Sequence, residues 1–165
     1  FEYCINLQYT PALPATTLAP YCYQAMFRNI TNGLKTVSIL PATTLERGCY
    51  QYMYQGSALL EAPILPATTL AKDCYKLMFS ETYISLAPEL LAATLVDGCY
   101  DRMFLACTRL GVITCLATDI SAGYSRTSWV DGVASNGTFT KNASMPSWPT
   151  GDNGIPSNWT VQDAS

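Results

Sequence analysis

The sequence contains no histidine, so the commonest general base and the commonest metal ligand are both missing. Charged side chains make up only 13% of the 165 residues, and no cluster of Lys or Arg occurs among 9 basic and 12 acidic residues. A surface that neutralises phosphates needs concentrated cations, so a nucleic-acid partner is excluded. No apolar run approaches the roughly 18 residues of a membrane span, and no stretch reads as a signal peptide. Membrane insertion is therefore not expected of this chain. What the sequence does have is apolar: 49% hydrophobic residues, with 11 tyrosines and 7 cysteines. A chain of this length buries roughly 70% of its unfolded surface and makes about one domain.

The apolar residues repeat. LPATTLAPYCYQAMF begins at Leu13, LPATTLERGCYQYMY at Leu40, LPATTLAKDCYKLMF at Leu65 and LLAATLVDGCYDRMF at Leu90. This register aligns Cys22, Cys49, Cys74 and Cys99, at separations of 27, 25 and 25. It also aligns Leu18, Leu45, Leu70 and Leu95, and then Tyr23, Tyr50, Tyr75 and Tyr100. Met26, Met53, Met78 and Met103 follow. Six residues before each opening leucine stands another aliphatic, Leu7, Leu34, Leu59 or Ile84, and Leu110 before Leu116 starts a partial fifth unit.

A period near 25 with leucines at fixed offsets predicts an α/β fold, a leucine-rich-repeat solenoid in which each unit is too small to fold alone. Units stacked at about 4.8 Å give a slab roughly 20–25 Å long. Each unit is expected to hold a short parallel strand ending near its opening leucine, because proline disfavours helix in the residue before it. The i,i+4 spacings of Cys22 with Met26 and of Tyr23 with Phe27 predict one helical turn, apolar side inward. Residues 1–116 form the solenoid on this reading. Residues 117–165, rich in Gly, Ser, Thr, Asn and Pro and holding Trp129, Trp148 and Trp159, form an irregular C-terminal cap or a separate small domain. Phe1 aligns with Phe27, so the chain starts mid-unit, and more repeats are expected upstream.

The repeated LPATTLxxxCYxxMF, followed by CTRLGVITCLATDIS, GTFTKNASMPSW and GIPSNWTV, resembles the BspA-like (Treponema-type) leucine-rich-repeat proteins of Bacteroides-type bacteria. The resemblance covers essentially the whole chain. It implies a cell-surface or secreted protein with a role in adhesion or host interaction. The family's CTSL opening is met by Cys4-Ile5-Asn6-Leu7 and Cys107-Thr108-Arg109-Leu110, while Thr31, Gly56 and Glu81 stand at the cysteine position in between. Leu91 and Ala93 replace Pro and Thr in the fourth unit.

The cysteines recur at repeat spacing rather than as CxxC pairs, so they read as reduced core residues and not as a metal site. Cys107 and Cys115, outside that ladder, are left open as a disulfide. LPATT is close to the LPxTG sortase signal, but it occurs three times internally and reads as structure. The sequons at Asn29, Asn136, Asn142 and Asn158 follow from a composition rich in Asn, Ser and Thr. Adjacent threonines, as at Thr43 and Thr44, are expected to point to opposite sides of a corner rather than form a water-ordering array. The acids in the repeats vary between units, and Asp119, Asp131, Asp152 and Asp163 sit beside turn residues. No enzyme activity, cofactor or metal is expected.

Recognition is best sought at positions the repeat does not dictate. The site four before each opening leucine runs Tyr9, Thr36, Glu61, Leu86 and Val112. Strand alternation sets it opposite the inward Thr10, Val37, Ala62, Ala87 and Ile113. This stripe is the predicted binding face for a protein or glycan, and the resemblance implies a host-derived one. A structural spacer without a ligand is the alternative. A monomer is expected, with end-to-end association through the uncapped start as a third possibility.

Overall fold

The computed structural model describes residues 1–35, 37–151 and 153–165. Its organisation follows from where alternate backbone amides go. In the second unit Cys49, Gln51, Met53 and Gln55 donate N–H to the carbonyls three residues back, those of Glu46, Gly48, Tyr50 and Tyr52. Gly48, Tyr50, Tyr52 and Tyr54 instead donate to Lys72, Cys74, Lys76 and Met78 of the next unit. One set of amides closes turns and the other joins units, so both are satisfied. Every fourth residue takes positive φ to make this possible: Gly48 at 56°, Tyr52 at 59° and Gly56 at 65°, then Asp73, Leu77 and Glu81.

This overturns the expected α/β leucine-rich-repeat solenoid with short helical turns. Among the described residues there is no helix, and the only strands are β1 (Val112–Cys115), β2 (Thr138–Lys141) and β3 (Thr160–Asp163). Most of the chain is turns and irregular backbone. The spacing argument failed for an identifiable reason. A four-residue period puts Cys49, Tyr50, Met53 and Tyr54 inside, and all four are buried. A row of consecutive β-turns meets that period as well as a helix does. A helix sends every amide to its own carbonyl four back and excludes positive φ at L-residues.

Equivalent side chains stack from unit to unit. One column of rings runs Phe1, Phe27, Tyr54, Phe79, Phe104 at centroid spacings of 5.9, 5.6, 5.8 and 5.8 Å. A second runs Tyr23, Tyr50, Tyr75, Tyr100 at 5.8, 5.9 and 6.2 Å. Each ring pair contributes about 0.5–1.5 kcal/mol beyond its buried area. Behind the rings lie buried aliphatic columns, among them Leu40, Leu65 and Leu90, and the small Ala42, Ala67, Ala92 and Ala117.

The stacking continues beyond residue 117. Carbonyls of Ser125, Thr127, Trp129 and Asp131 accept from Tyr100, Arg102, Phe104 and Ala106, and Tyr124, Ser128 and Gly132 supply the positive φ. The three strands are parallel in the order β1-β2-β3, with Ile113 beside Phe139 and Phe139 beside Val161. Two registers differ from those read in the sequence. Leu90 pairs with Cys115, not Leu116. Thr82, not Glu81, lies against Cys107, its Oγ1 3.5 Å from the thiol sulfur. Ser57, not Gly56, makes the same turn closure as Thr82 and Cys107. Among the described residues no helix is long and apolar enough to cross a membrane.

A candidate docking face

The extended segment that precedes each opening leucine sends some side chains to the core and others to solvent, with strict alternation only over 112–117. Ala87 and Ile113 are buried, and Thr10, Val37 and Ala62 are half-buried. On the opposite side Tyr9, Glu61, Leu86 and Val112 are all exposed, and Leu86 is bridged to Val112. Thr36 lies outside the described residues.

Larger apolar side chains stand beside this stripe. Ile39 and Ile64, each one residue before an opening leucine, are 72% and 74% exposed, and Leu60 and Leu86 are each 58% exposed. Ile39 and Ile64 occupy another variable site, running Ala12, Ile39, Ile64 and Glu89, which its place beside a buried leucine disguises in the sequence.

The aliphatic side chains line a series of clefts. Ile39 borders one of about 550 Å³ with Thr10 and Pro14. Ile39 and Ile64 together border one of about 280 Å³ with Lys35. Ile64, Leu60 and Leu86 border the largest, about 670 Å³, with Glu61 and Glu89 at its sides. The two segments that border that groove are not joined. Among the described residues no backbone hydrogen bond joins 60–65 to 85–91, although Tyr83 N–H reaches the Leu59 carbonyl at 3.0 Å. The neighbouring pair of segments does close, through Ala87 N–H to Val112 and Leu90 N–H to Thr114.

The reactive groups lie elsewhere. All seven cysteines are free, including Cys107 and Cys115; five are buried, but Cys4 and Cys22 are exposed, so Cys22 is not the core residue its place in the ladder predicts. Burial pushes the thiols of Cys49, Cys99 and Cys115 up to about 12, and raises Cys74 well above the usual thiol range. Such thiols are poor nucleophiles and poor ligands. Among the described residues no three Cys, Asp or Glu are grouped to hold a metal ion. Lys76 pairs with Asp101 at 2.8 Å, and Lys72 with Asp97 at 2.6 Å, on the turn side. Asp119 accepts from both the amide and the hydroxyl of Ser121, at 3.0 and 2.7 Å, which holds its carboxyl below the usual range. Asp152 lies outside the described residues. Thr43 and Thr44 are both exposed, as are Thr68 and Thr69, so adjacent threonines do not divide between two sides.

Comparison of the chain with protein-family models, with curated proteins and with solved structures finds no match.

Proposed function

We propose that this chain is a non-enzymatic interaction module that binds a protein or glycan through the face carrying Tyr9, Glu61, Leu86 and Val112. The observation that carries this reading is the row of large aliphatic side chains, Ile39, Leu60, Ile64, Leu86 and Val112, exposed on the extended segments. Single exposed apolar residues are ordinary, but a contiguous set rimmed by polar groups marks an interaction surface. Cys49, Cys74, Cys99, Cys107 and Cys115 are buried and Lys76 is paired with Asp101, so these groups are not on offer at that face. The resemblance to BspA-like surface proteins agrees in kind, and a cell-surface or secreted location rests on that resemblance alone.

The test is binding of the labelled chain to arrays of glycans and of extracellular matrix proteins. A Tyr9→Ala/Glu61→Ala variant and an Ile39→Ser/Ile64→Ser variant run alongside. A hit weakened at least about tenfold in either variant supports the reading. A blank with folded protein favours a spacer instead.

A further inference from the structure

We infer that the groove between 60–65 and 85–91 takes an extended polypeptide segment that carries a basic side chain beside an aliphatic one. This rests on the interaction-module reading and narrows it to one site and one class of partner. Three features of the groove converge on such a segment.

The first is charge. Glu61 and Glu89 are exposed on opposite sides of the groove, and neither is in an ion pair among the described residues. Elsewhere Asp97, Asp101 and Asp163 are each matched to a lysine. Two unmatched carboxylates flanking an apolar floor favour a cation on the visitor and repel an acidic one. Removing either partner of such a pair across an interface also changes its salt dependence.

The second is the walls. Leu60, Ile64 and Leu86 are aliphatic, with Pro63 and Pro88 beneath them, and no aromatic ring lines the groove. Sugars are commonly gripped by stacking on aromatic rings, whereas aliphatic side chains pack against aliphatic walls. A peptide is the better match.

The third is the backbone. Residues 60–65 make no backbone hydrogen bond to either neighbouring unit among the described residues. Backbone groups not bonded to the described residues of a neighbouring unit, beside side-chain pockets, are what an extended peptide uses, its main chain supplying hydrogen bonds and its alternate side chains filling the pockets. At about 670 Å³ the groove has room for several side chains.

The experiment measures binding of the whole chain to fluorescent octapeptides that alternate Val with Lys, to counterparts with Glu in place of Lys, and to a glycan array. Saturable binding is expected for the Lys peptides, at least about tenfold tighter than for the Glu peptides and weakening between about 50 and 300 mM salt. Glu61→Gln/Glu89→Gln should remove most of that preference, and Leu86→Asp should abolish binding. Leu86 is exposed, so that variant should keep the wild-type melting temperature. Equal binding of Lys and Glu peptides overturns the proposal, as does a preference untouched by Glu61→Gln/Glu89→Gln. A glycan hit lost in Leu86→Asp, with peptides blank, overturns the peptide occupant while the interaction-module reading stands. A concentration-dependent dimer that Leu86→Asp dissolves would assign the groove to a second copy instead. Blanks on every array with folded protein sink both readings.

Discussion

Trp129 stacks on Tyr100 at 6.2 Å between ring centroids, yet by backbone register it takes the place of Met103, not of a ring. Phe104 donates its amide to the Trp129 carbonyl as Phe79 does to that of Met103. From the methionine position the indole reaches under both ring columns at once, lying 6.3 Å from Phe104 as well. Its own N–H is satisfied by the Gly154 carbonyl at 2.7 Å. Trp148 stacks beneath it at 5.8 Å. One side chain thus joins the two columns to the tail.

Trp129→Ala should therefore be among the most costly single changes, at about 3–5 kcal/mol, the usual toll for emptying a buried aromatic site. Trp129→Phe should cost less, since a ring remains but the hydrogen bond to Gly154 is lost. Urea unfolding followed by circular dichroism measures both. A loss below about 1 kcal/mol for Trp129→Ala would show that the tail does not depend on this contact.

Ala25 has φ of 53° and Ala106 of 58°, so each holds an L-residue in the left-handed region. Ala25→Gly should stabilise the protein by about 0.5–1 kcal/mol, because glycine takes that conformation without penalty. Ala92 is fully buried, with no positive φ, and Ala92→Gly should destabilise by about 1 kcal/mol. In a helix both changes would be unfavourable. Opposite signs in thermal denaturation are thus the signature of the turn row, and equal signs would refute it.

The Tyr54 hydroxyl is buried without a hydrogen-bond partner, and the same column holds phenylalanine at Phe27, Phe79 and Phe104. Tyr54→Phe should remove an unsatisfied polar group and leave the ring stack intact. A gain of about 1 kcal/mol is expected. A loss of similar size would mean that the hydroxyl is paired in solution.

Alkali should unfold the protein cooperatively. Burial favours the protonated thiols, pushing Cys49, Cys99 and Cys115 up to about 12, and raises the phenols of Tyr75 and Tyr100 well above their usual range. A group whose pKa is higher folded than unfolded lends its full stabilisation below its unfolded pKa, about 8.5 for Cys and about 10 for Tyr. That stabilisation drains away as pH climbs from there towards the folded value. Each such thiol costs about 1.4 kcal/mol per pH unit over that window. The melting temperature should hold steady from about pH 6 to 8 and fall steeply above about pH 9, with tyrosinate absorbance rising only as the protein unfolds. A melting temperature unchanged at about pH 11 would contradict the burial of these groups.

Gly137 marks a tight approach in the tail. A Cβ there would stand 2.5 Å from the Gly111 carbonyl oxygen and 2.6 Å from Trp159 Cε2. Gly137→Ala should cost about 1–3 kcal/mol through this overlap. At Gly33, by contrast, a Cβ would meet nothing within 4 Å and only the positive φ of 86° resists substitution. Gly33→Ala should therefore cost less, about 1 kcal/mol. Chemical denaturation of the pair gives the comparison, and an equal cost at both sites would argue against the close packing of Trp159 on β2.

The sequence made the inward set legible because each column demands the same residue type in every unit: Cys49, Cys74 and Cys99, or Tyr50, Tyr75 and Tyr100. It did not disclose the backbone, since side-chain period four fits a turn row and a helix alike. The difference lies in which carbonyl an amide finds, and that partner is 25 or so residues away. The fifth turn row was hidden for another reason. It keeps the backbone pattern with Ser125 at the cysteine place and Arg126 at the tyrosine place, so nothing in its composition announces it. The Glu61 and Leu86 stripe was legible from alternation, whereas the groove was not. It depends on which neighbouring segments share backbone hydrogen bonds, which only the stacking reveals.

The alternation of amides has a directional consequence. In the turn rows every bond between units runs one way: Tyr23 to Cys49, Tyr50 to Cys74, Tyr75 to Cys99, Tyr100 to Ser125, donor always in the earlier unit. The peptide dipoles in these rows therefore add along the stack instead of cancelling, as they do along a helix axis. The fold is electrically a rod with two unlike poles, carbonyl-rich at the Tyr23 end and amide-rich at the Ser125 end. Asn153, whose Oδ1 accepts the Ser128 amide at 2.9 Å, already sits on the positive pole. Such a rod can be lengthened only head to tail, because a unit turned round would set amide against amide.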